Sequence, residues 1–528
     1  MELVLLKVDI DPTPHLGAIQ DLRADHNVQM NTARRVDEIW PDQPNEYHLH
    51  ICVRLPSVIP QKRSVPQQGD VHSQFKRTKV ATLAPSSLAA SQRYVRLQQD
   101  SRERILDDRP EPDHQIPPIP LLYSGFGHFL DIMDGRNDVP GLANIKVAEL
   151  QMAVDALATE MTRFFELEFQ RREKGLEHLK DIFAARRGTT IPRTSVSAIG
   201  SAISDGHNVA NNGTSSIVVE FKNSPTEVSA VPQVQVAGFV AHLNAALKKE
   251  AYLQWRVPCL GLTIVGCDIT FYAVLAVDHQ IRLVSLTPTL SCVQSASDGR
   301  DPASVLQAQL LENALKLDEA RKLLKDPTAA EIPAGNRRYP TISQLSVSKY
   351  ATSRGLDDYL TFEICGLLDD RVLYKAKRLS IDELILIKFV RRYSIDLHHI
   401  CAKAGHAPSI LGYERLPGGW FAVAMEYVKP DTSITESTHR VRWKQELETL
   451  MKSFHAENLV HGDLRDANII YRGDSVILVD FDWGGKVGEA SYPTLALNSE
   501  LLDGRVTDNL MISISDDVRV LRKTLDKL

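Results

Sequence analysis

Between residues 461 and 482 the chain reads HGDLRDANII, a short polar step, and then ILVDFD. An Asp at 463, an Asn at 468 and a second Asp at 480 beyond an apolar strand is an order that folding alone does not demand. Phosphoryl transfer does demand it, because a carboxylate must orient the attacking hydroxyl and two oxygen ligands must hold magnesium. In this reading Asp463 orients the acceptor hydroxyl, Asn468 and Asp480 bind Mg2+, and Arg465 neutralises charge beside the transferring phosphoryl. Upstream, LILIKFVRR is an apolar strand whose Lys388 is placed to reach the phosphates of ATP, and GGWFAVAMEYV reads as the strand and hinge beside an adenine pocket.

A second constellation lies in SDGHNVANNGTSSIVVEFKN, residues 204–223. Glu220 and Lys222 bracket one apolar residue, so on a strand they share a face. With Asp205, two carboxylates converge that can hold a divalent metal, while Lys222 orients a water for attack on a phosphodiester. The following helix, from PQVQVAGFVAH, adds Gln235 or Gln233. An ExK triplet is more often a solvated face with an ion pair, so spacing alone makes this the weaker of the two signals.

Elements must position these groups. A helix over TESTHRVRWKQELETLMKSFHAENLV delivers the chain into the loop at Asp463, and NIIYRG with SVILVDF forms the hairpin that brings Asp463, Asn468 and Asp480 into one cleft. The segment LQMAVDALATEMTRFFELEFQRREKGLEHL repeats Leu150, Val154, Leu157, Met161 and Phe164 at helical spacing, which predicts one long helix. Strands are expected at SSIVVEFKN, LGLTIVGCDITFYAVLAV and IRLVSL, and at ELVLLKVDI and YHLHICVRLP near the amino end. Residues 58–118, rich in Pro, Gln, Ser and Arg and lacking periodicity, read as a basic linker. The expected division is therefore 1–57, the linker 58–118, an α/β domain over 119–335, and the segment 336–528 carrying the first motif.

At 528 residues the chain exceeds one hydrophobic core. An apolar content of 43% with 24% charged residues is that of a soluble globular protein, and a net charge of -6, small for this length, argues neither for a nucleic-acid coat nor for an acidic tail. The six cysteines form no CxxC pair, which reads as reduced thiols and not as a disulfide frame or zinc site. No apolar run suits a bilayer, and MELVLLKVDIDPTP is a poor signal peptide, so an intracellular, membrane-free protein is expected.

LPGGWFAVAMEY, HGDLRDANI and LVDFDWGG resemble the hinge, catalytic loop and metal loop of the fungal-type protein kinase-like domains abundant in basidiomycetes. Against that pattern, CGLLDDRVLYKAKR replaces a GxGxxG, Asp482 replaces the Gly of the metal motif, and Asp396 in YSIDLHHI is the nearest match to the helix acid that pairs the strand lysine. GFGHFLDIMDG, VEFKN, the PQVQ helix start and LGLTIVGCDITFYAVL are similar to the PD-(D/E)xK restriction-endonuclease-like module of fungal Crinkler proteins. That resemblance implies a site of Asp205, Glu220, Lys222 and Gln235, with Glu168 as a further contributor. The amino end resembles the second half of the ubiquitin-like Crinkler header.

The fold class implied is multidomain α/β and α+β: a truncated ubiquitin-like header, an endonuclease-like α/β core and a minimal bilobal protein-kinase-like domain. The order matches Crinkler-type effectors, which by resemblance are secreted or host-translocated and act in nuclei. The partners expected are ATP, a protein substrate the sequence does not name, and DNA through residues 119–335 if the second site is a nuclease. Three functions stay open: an effector with kinase, nuclease or both activities; a small-molecule phosphotransferase; and a non-catalytic scaffold.

Overall fold

The computed structural model describes residues 4–10, 28–29, 49–54, 68–108, 116–136, 138–139, 146–184, 194–195, 198–199, 202–208, 217–224, 230–248, 252, 257–293, 338–351, 358–369, 372–429, 439–472, 474–494, 497–506 and 509–527. The chain is mixed α/β with several sheets, divided into a unit of Met1–Gln67 and a unit of Gln68–Leu528. In the first unit β1 (Val4–Ile10) lies between β2 (Val28–Gln29) and β3 (Leu49–Arg54), antiparallel to both. The two strands expected there are present, and β2 is an addition.

The second unit begins inside the segment expected to be a linker. From residue 68 it is helical: α1 (Gln68–Phe75), α2 (Lys79–Thr82), α3 (Pro85–Ala89) and α4 (Ser91–Gln98). Their Phe75, Val80, Leu88 and Leu97 are buried in one core with Val234, Phe239 and Val274. Helices this short carry too few turns to show a period, so their apolar residues look scattered among polar ones. Residues 58–67 lie outside the described residues.

Four helices follow: α5 (Ile119–Leu122), α6 (Ser124–Met133), α7 (Val147–Met161) and α8 (Glu168–Ala184). The last two replace the single long helix expected. Leu150, Val154, Leu157 and Met161 are buried as the spacing requires, but the chain turns after Met161 and leaves Phe164 90% exposed. Arg171 holds the reversal by donating to the carbonyls of Met161 at 2.8 Å and Arg163 at 3.2 Å, satisfying the helix end.

Beyond them come β4 (Thr194–Ser195), the small hairpin β5 (Ala198–Ile199) and β6 (Ala202–Ile203), then β7 (Gly206–Asn208), β8 (Ile217–Lys222), α9 (Pro232–Ala246), β9 (Cys259–Val265), β10 (Asp268–Val277), β11 (Gln280–Ser285) and β12 (Leu290–Ser291). Seven of these strands make one sheet in the order β11-β10-β9-β8-β7-β4, with β12 against β10; β8 and β9 run parallel. The near-continuous apolar runs of β8 to β10 follow from burial on both faces. Ile217, Val219 and Phe221 join the core under α6 to α8, while Val218 joins the opposite core under α9 and the amino-terminal helices.

The third layer of structure starts at β13 (Gln344–Ser346), β14 (Tyr359–Asp369), β15 (Leu373–Arg378) and β16 (Glu383–Val390). After α10 (Ile395–Lys403) come β17 (Ile410–Leu416) and β18 (Trp420–Glu426), giving an antiparallel sheet of order β13-β14-β15-β16-β18-β17. A second lobe has α11 (Arg440–Ala456), β19 (Leu459–Val460), the hairpin β20 (Ile469–Arg472) and β21 (Ser475–Leu478), β22 (Gly485–Lys486), α12 (Ser499–Leu502) and α13 (Ile514–Lys527). Trp443, Leu447, Leu450 and Phe454 form the buried stripe of α11.

The two parts of the second unit are joined through GFGHFLDIMDG and LPGGW. The buried Asp131 of α6 accepts from Arg415 at 2.7 Å and from the Gly418 N–H at 3.0 Å. A Cβ on Gly127 would stand 2.6 Å from Pro417, so only glycine admits the turn between β17 and β18. Gly127 and Asp131, expected as features of the endonuclease-like module, therefore serve the junction.

Candidate functional site

On β16 the period of two separates the faces: Ile385, Ile387 and Phe389 fill the upper core, while Leu386 and Lys388 line a cavity of about 430 Å³. Met425, Tyr427 and Val428, at and after the end of β18, line it as the expected hinge, and Asn468 and Asp480 face it from the lobe below. Lys388 is buried, and its ammonium lies 2.5 Å from Asp480 and 2.6 Å from Asp482. Asp396, expected as the nearest helix acid for Lys388, does not fill that role. It accepts from the Tyr350 hydroxyl at 2.6 Å, since α10 presents it to the strand-edge segment instead of the cavity.

The loop from His461 to Asn468 is held from below. The carboxylate of Asp517, on α13 and fully buried, accepts from the backbone N–H groups of His461 at 2.8 Å and Gly462 at 2.7 Å, and contacts His455 Nε2 at 3.1 Å. Gly462 has φ +85° and a Cβ there would meet Ile512 at 2.7 Å. The next residue, Asp463, is buried and forms a two-bond pair with Arg465, at 2.5 and 2.7 Å. Arg465 thus neutralises Asp463 directly, where a place beside the phosphoryl was expected. Asn468 donates its amide nitrogen to the Asp463 carbonyl at 3.0 Å, which commits one end of the amide and turns its oxygen away.

The hairpin brings the last acid alongside. Val479 N–H donates to the Asn468 carbonyl at 2.9 Å, and Asp480 follows in the left-handed region with φ +67°. An aspartate tolerates that region better than most residues, and such outliers concentrate at functional sites. Phe481 is clamped between rings, 4.5 Å from His398 and 5.3 Å from His461, and its carbonyl accepts from Ser394 at 3.0 Å. Burial pulls His398 down to about 4, so the stacked ring is neutral.

In the middle domain Glu220 and Lys222 alternate with Phe221 and lie on the face of Val218, toward α9. Lys222 Nζ is 2.8 Å from Glu220 and 3.3 Å from Glu168, so the weakly signalled Glu168 does join the group. Asp205 accepts from the Phe221 N–H at 2.9 Å and from Arg172 at 3.2 Å. Burial, with Asp205 beside it, pushes the Glu220 carboxyl up to about 8 against the opposing pull of Lys222. Gln235, on the first turn of α9, is buried with its amide oxygen unpartnered and makes no hydrogen bond to Glu220 or Lys222 among the described residues. No group of three or more His, Cys, Asp or Glu is arranged to hold a metal among the described residues, so Asp205 and Glu220 stand as a pair. Nor is any described helix long and apolar enough to cross a membrane.

Asp517 was missed by sequence reasoning. It sits in SISDDVRV, far along the chain from the loop it supports, and only its place at the start of an amphipathic helix marked it.

No protein-family model matches the chain, and no curated protein matches it. Among solved structures it matches the kinase PK-1 of the Cydia pomonella granulovirus at 16% sequence identity, covering 31% of this chain and 69% of that chain, with a TM-score of 0.27.

Proposed function

We propose that residues 338–527 are an ATP-dependent phosphotransferase of protein-kinase-like architecture. The observation that carries this reading is the convergence of Lys388, Asn468 and Asp480, from three separate elements, on one cavity. The order β14-β15-β16-β18-β17, with α10 between β16 and β17 and the lysine on the third of these strands, fits the arrangement in which a strand lysine serves nucleotide phosphates. Apolar Leu373, Leu386 and Ile470 on the cavity wall suit a flat base, and Tyr427 and Val428 supply backbone at its edge.

The donor set fits magnesium, which is held by carboxylate and amide oxygens. Asp480 offers the carboxylate, and the tethered Asn468 amide offers its oxygen. Bound there, the ion would neutralise charge on the β- and γ-phosphates. Lys388 adds a fixed cation. Asp463 orients the acceptor hydroxyl and takes its proton as the new oxygen–phosphorus bond forms and the bond to ADP breaks. Arg465, paired to Asp463 through two hydrogen bonds, holds that carboxylate in its orientation. The acceptor we favour is a protein Ser or Thr hydroxyl; the second reading is a small-molecule hydroxyl.

For the middle domain we infer metal-dependent phosphodiester cleavage by Asp205, Glu220 and Lys222. What supports this reading is a buried Glu220 carboxyl, pushed up to about 8 by burial and by Asp205 although Lys222 lies 2.8 Å away, since strongly perturbed carboxyls cluster at functional sites. On the sequence resemblance alone, we propose a Crinkler-type effector acting on protein and DNA in a host nucleus.

The test is thermal stability with ATP and magnesium together, for the natural chain and for Asp480→Asn and Lys388→Met. A magnesium-dependent rise in the natural chain that Asp480→Asn loses and Lys388→Met reduces is expected. No rise in the natural chain, or equal rises in all three, refutes the reading. Transfer of labelled phosphate to polypeptide separates a protein acceptor from a small one.

A further inference from the structure

The phosphates-facing lysine of such a site needs a carboxylate to hold it in place. Here Asp396 is engaged with Tyr350, and the acids paired with Lys388 among the described residues are Asp480 and Asp482. Those two differ in what else they can do. Asp480 lines the cavity beside Asn468 and is the carboxylate that magnesium requires. A metal bound to Asp480 draws that charge away from the ammonium, and Asp482 is the acid left to Lys388.

We propose that Asp482 is the positioning residue for Lys388, replacing the helix acid; this rests on the phosphotransferase reading above. Its placement is fixed by its neighbours. Phe481, on one side, is clamped by His398 and His461 and anchored through its carbonyl to Ser394. Gly484, on the other, lies so close to α10 that a Cβ would stand 2.7 Å from Leu397 and 3.1 Å from the Val460 carbonyl. Between two such anchors the Asp482 side chain reaches Lys388 from beneath the start of α10, at 2.6 Å. Lys388 is held on a central strand, so its aliphatic stem is packed and only the ammonium has freedom to aim. A carboxylate in the metal loop itself can aim it without any movement of α10. Activation of this domain then requires no inward swing of that helix, and the residue at the usual glycine position carries a function of its own.

The experiment measures phosphotransfer and magnesium–ATP binding by the full chain and by Asp482→Asn, Asp482→Glu and Asp396→Asn. Asp482→Asn keeps shape and removes charge, and a fall of about ten-fold or more in kcat/KM for ATP is expected. Asp482→Glu recovers part of the loss, and Asp396→Asn stays within about two-fold of the natural chain. In a Lys388→Met background, Asp482→Asn adds less than about two-fold, because the two act as one unit. An unaltered Asp482→Asn, a loss in Asp396→Asn as large as ten-fold, or fully additive losses in the double variant overturns the proposal while the phosphotransferase reading stands. A natural chain that binds no magnesium–ATP overturns that reading, and this one with it. The double variant decides the matter even where Asp482→Asn lowers stability, since general loosening adds to the Lys388→Met loss.

Discussion

Replacing Asp517 tests whether the loop carrying Asp463 is held from below. The side chain is fully buried and accepts two backbone N–H groups, at 2.8 and 2.7 Å, that have no other place to go. Hydrogen bonds to a charged group contribute about 1.5–3 kcal/mol each, so Asp517→Ala should cost about 3–6 kcal/mol of local stability. Since each 1.4 kcal/mol is about ten-fold, amide exchange at His461 and Gly462 should accelerate by about 10²–10⁴. Asp517→Asn keeps the volume but turns one acceptor into a donor, and should give about half that effect. Hydrogen exchange resolved by residue, with the β20–β21 hairpin as internal reference, reads the change directly. Phosphotransfer should fall alongside, because Asp463 follows Gly462 immediately. Amides at 461 and 462 that stay protected in Asp517→Ala refute the reasoning, as does a general acceleration that includes the hairpin.

His398 is neutral in the folded chain and held down to about 4 by burial, so unfolding takes up a proton between pH 4 and 6.5. Stability should therefore fall as pH drops through that window and level off near 4, and His398→Phe, which keeps the stack on Phe481, should flatten the fall in urea titrations. Glu220 behaves oppositely: its folded value is raised to about 8, so its contribution is complete below pH 4.5 and is lost as pH rises toward 8. In chelator, Glu220→Gln should remove that slope and abolish manganese-dependent nicking of DNA; an unchanged slope refutes the assignment. Asp131→Ala strips Arg415 and the Gly418 N–H of their buried partner and should destabilise the junction by about 3–5 kcal/mol, visible as earlier unfolding in the same titrations.

Legibility in the sequence followed the range of each interaction. The motif around Asp463, Asn468 and Asp480 was readable because a loop and one hairpin place all three, and the bonds that do so are local. Lys388 was readable from a period of two on one strand, and Glu220 with Lys222 from the same period on another. The helices from 68 to 98 were not, because segments of four to eight residues show their apolar face only against the sheet that covers it. The break after Met161 was equally hidden, since Arg171 supplies the missing helix cap from a later turn. Sequence by itself therefore determined which residues could do chemistry and on which strand face they stand. Only the tertiary structure decided that Asp482, not Asp396, meets Lys388, that Asp517 holds the loop, and that Asp131 serves a junction. In each case the deciding partner lies on another element, and a buried charge takes whichever partner the packing brings within hydrogen-bond reach.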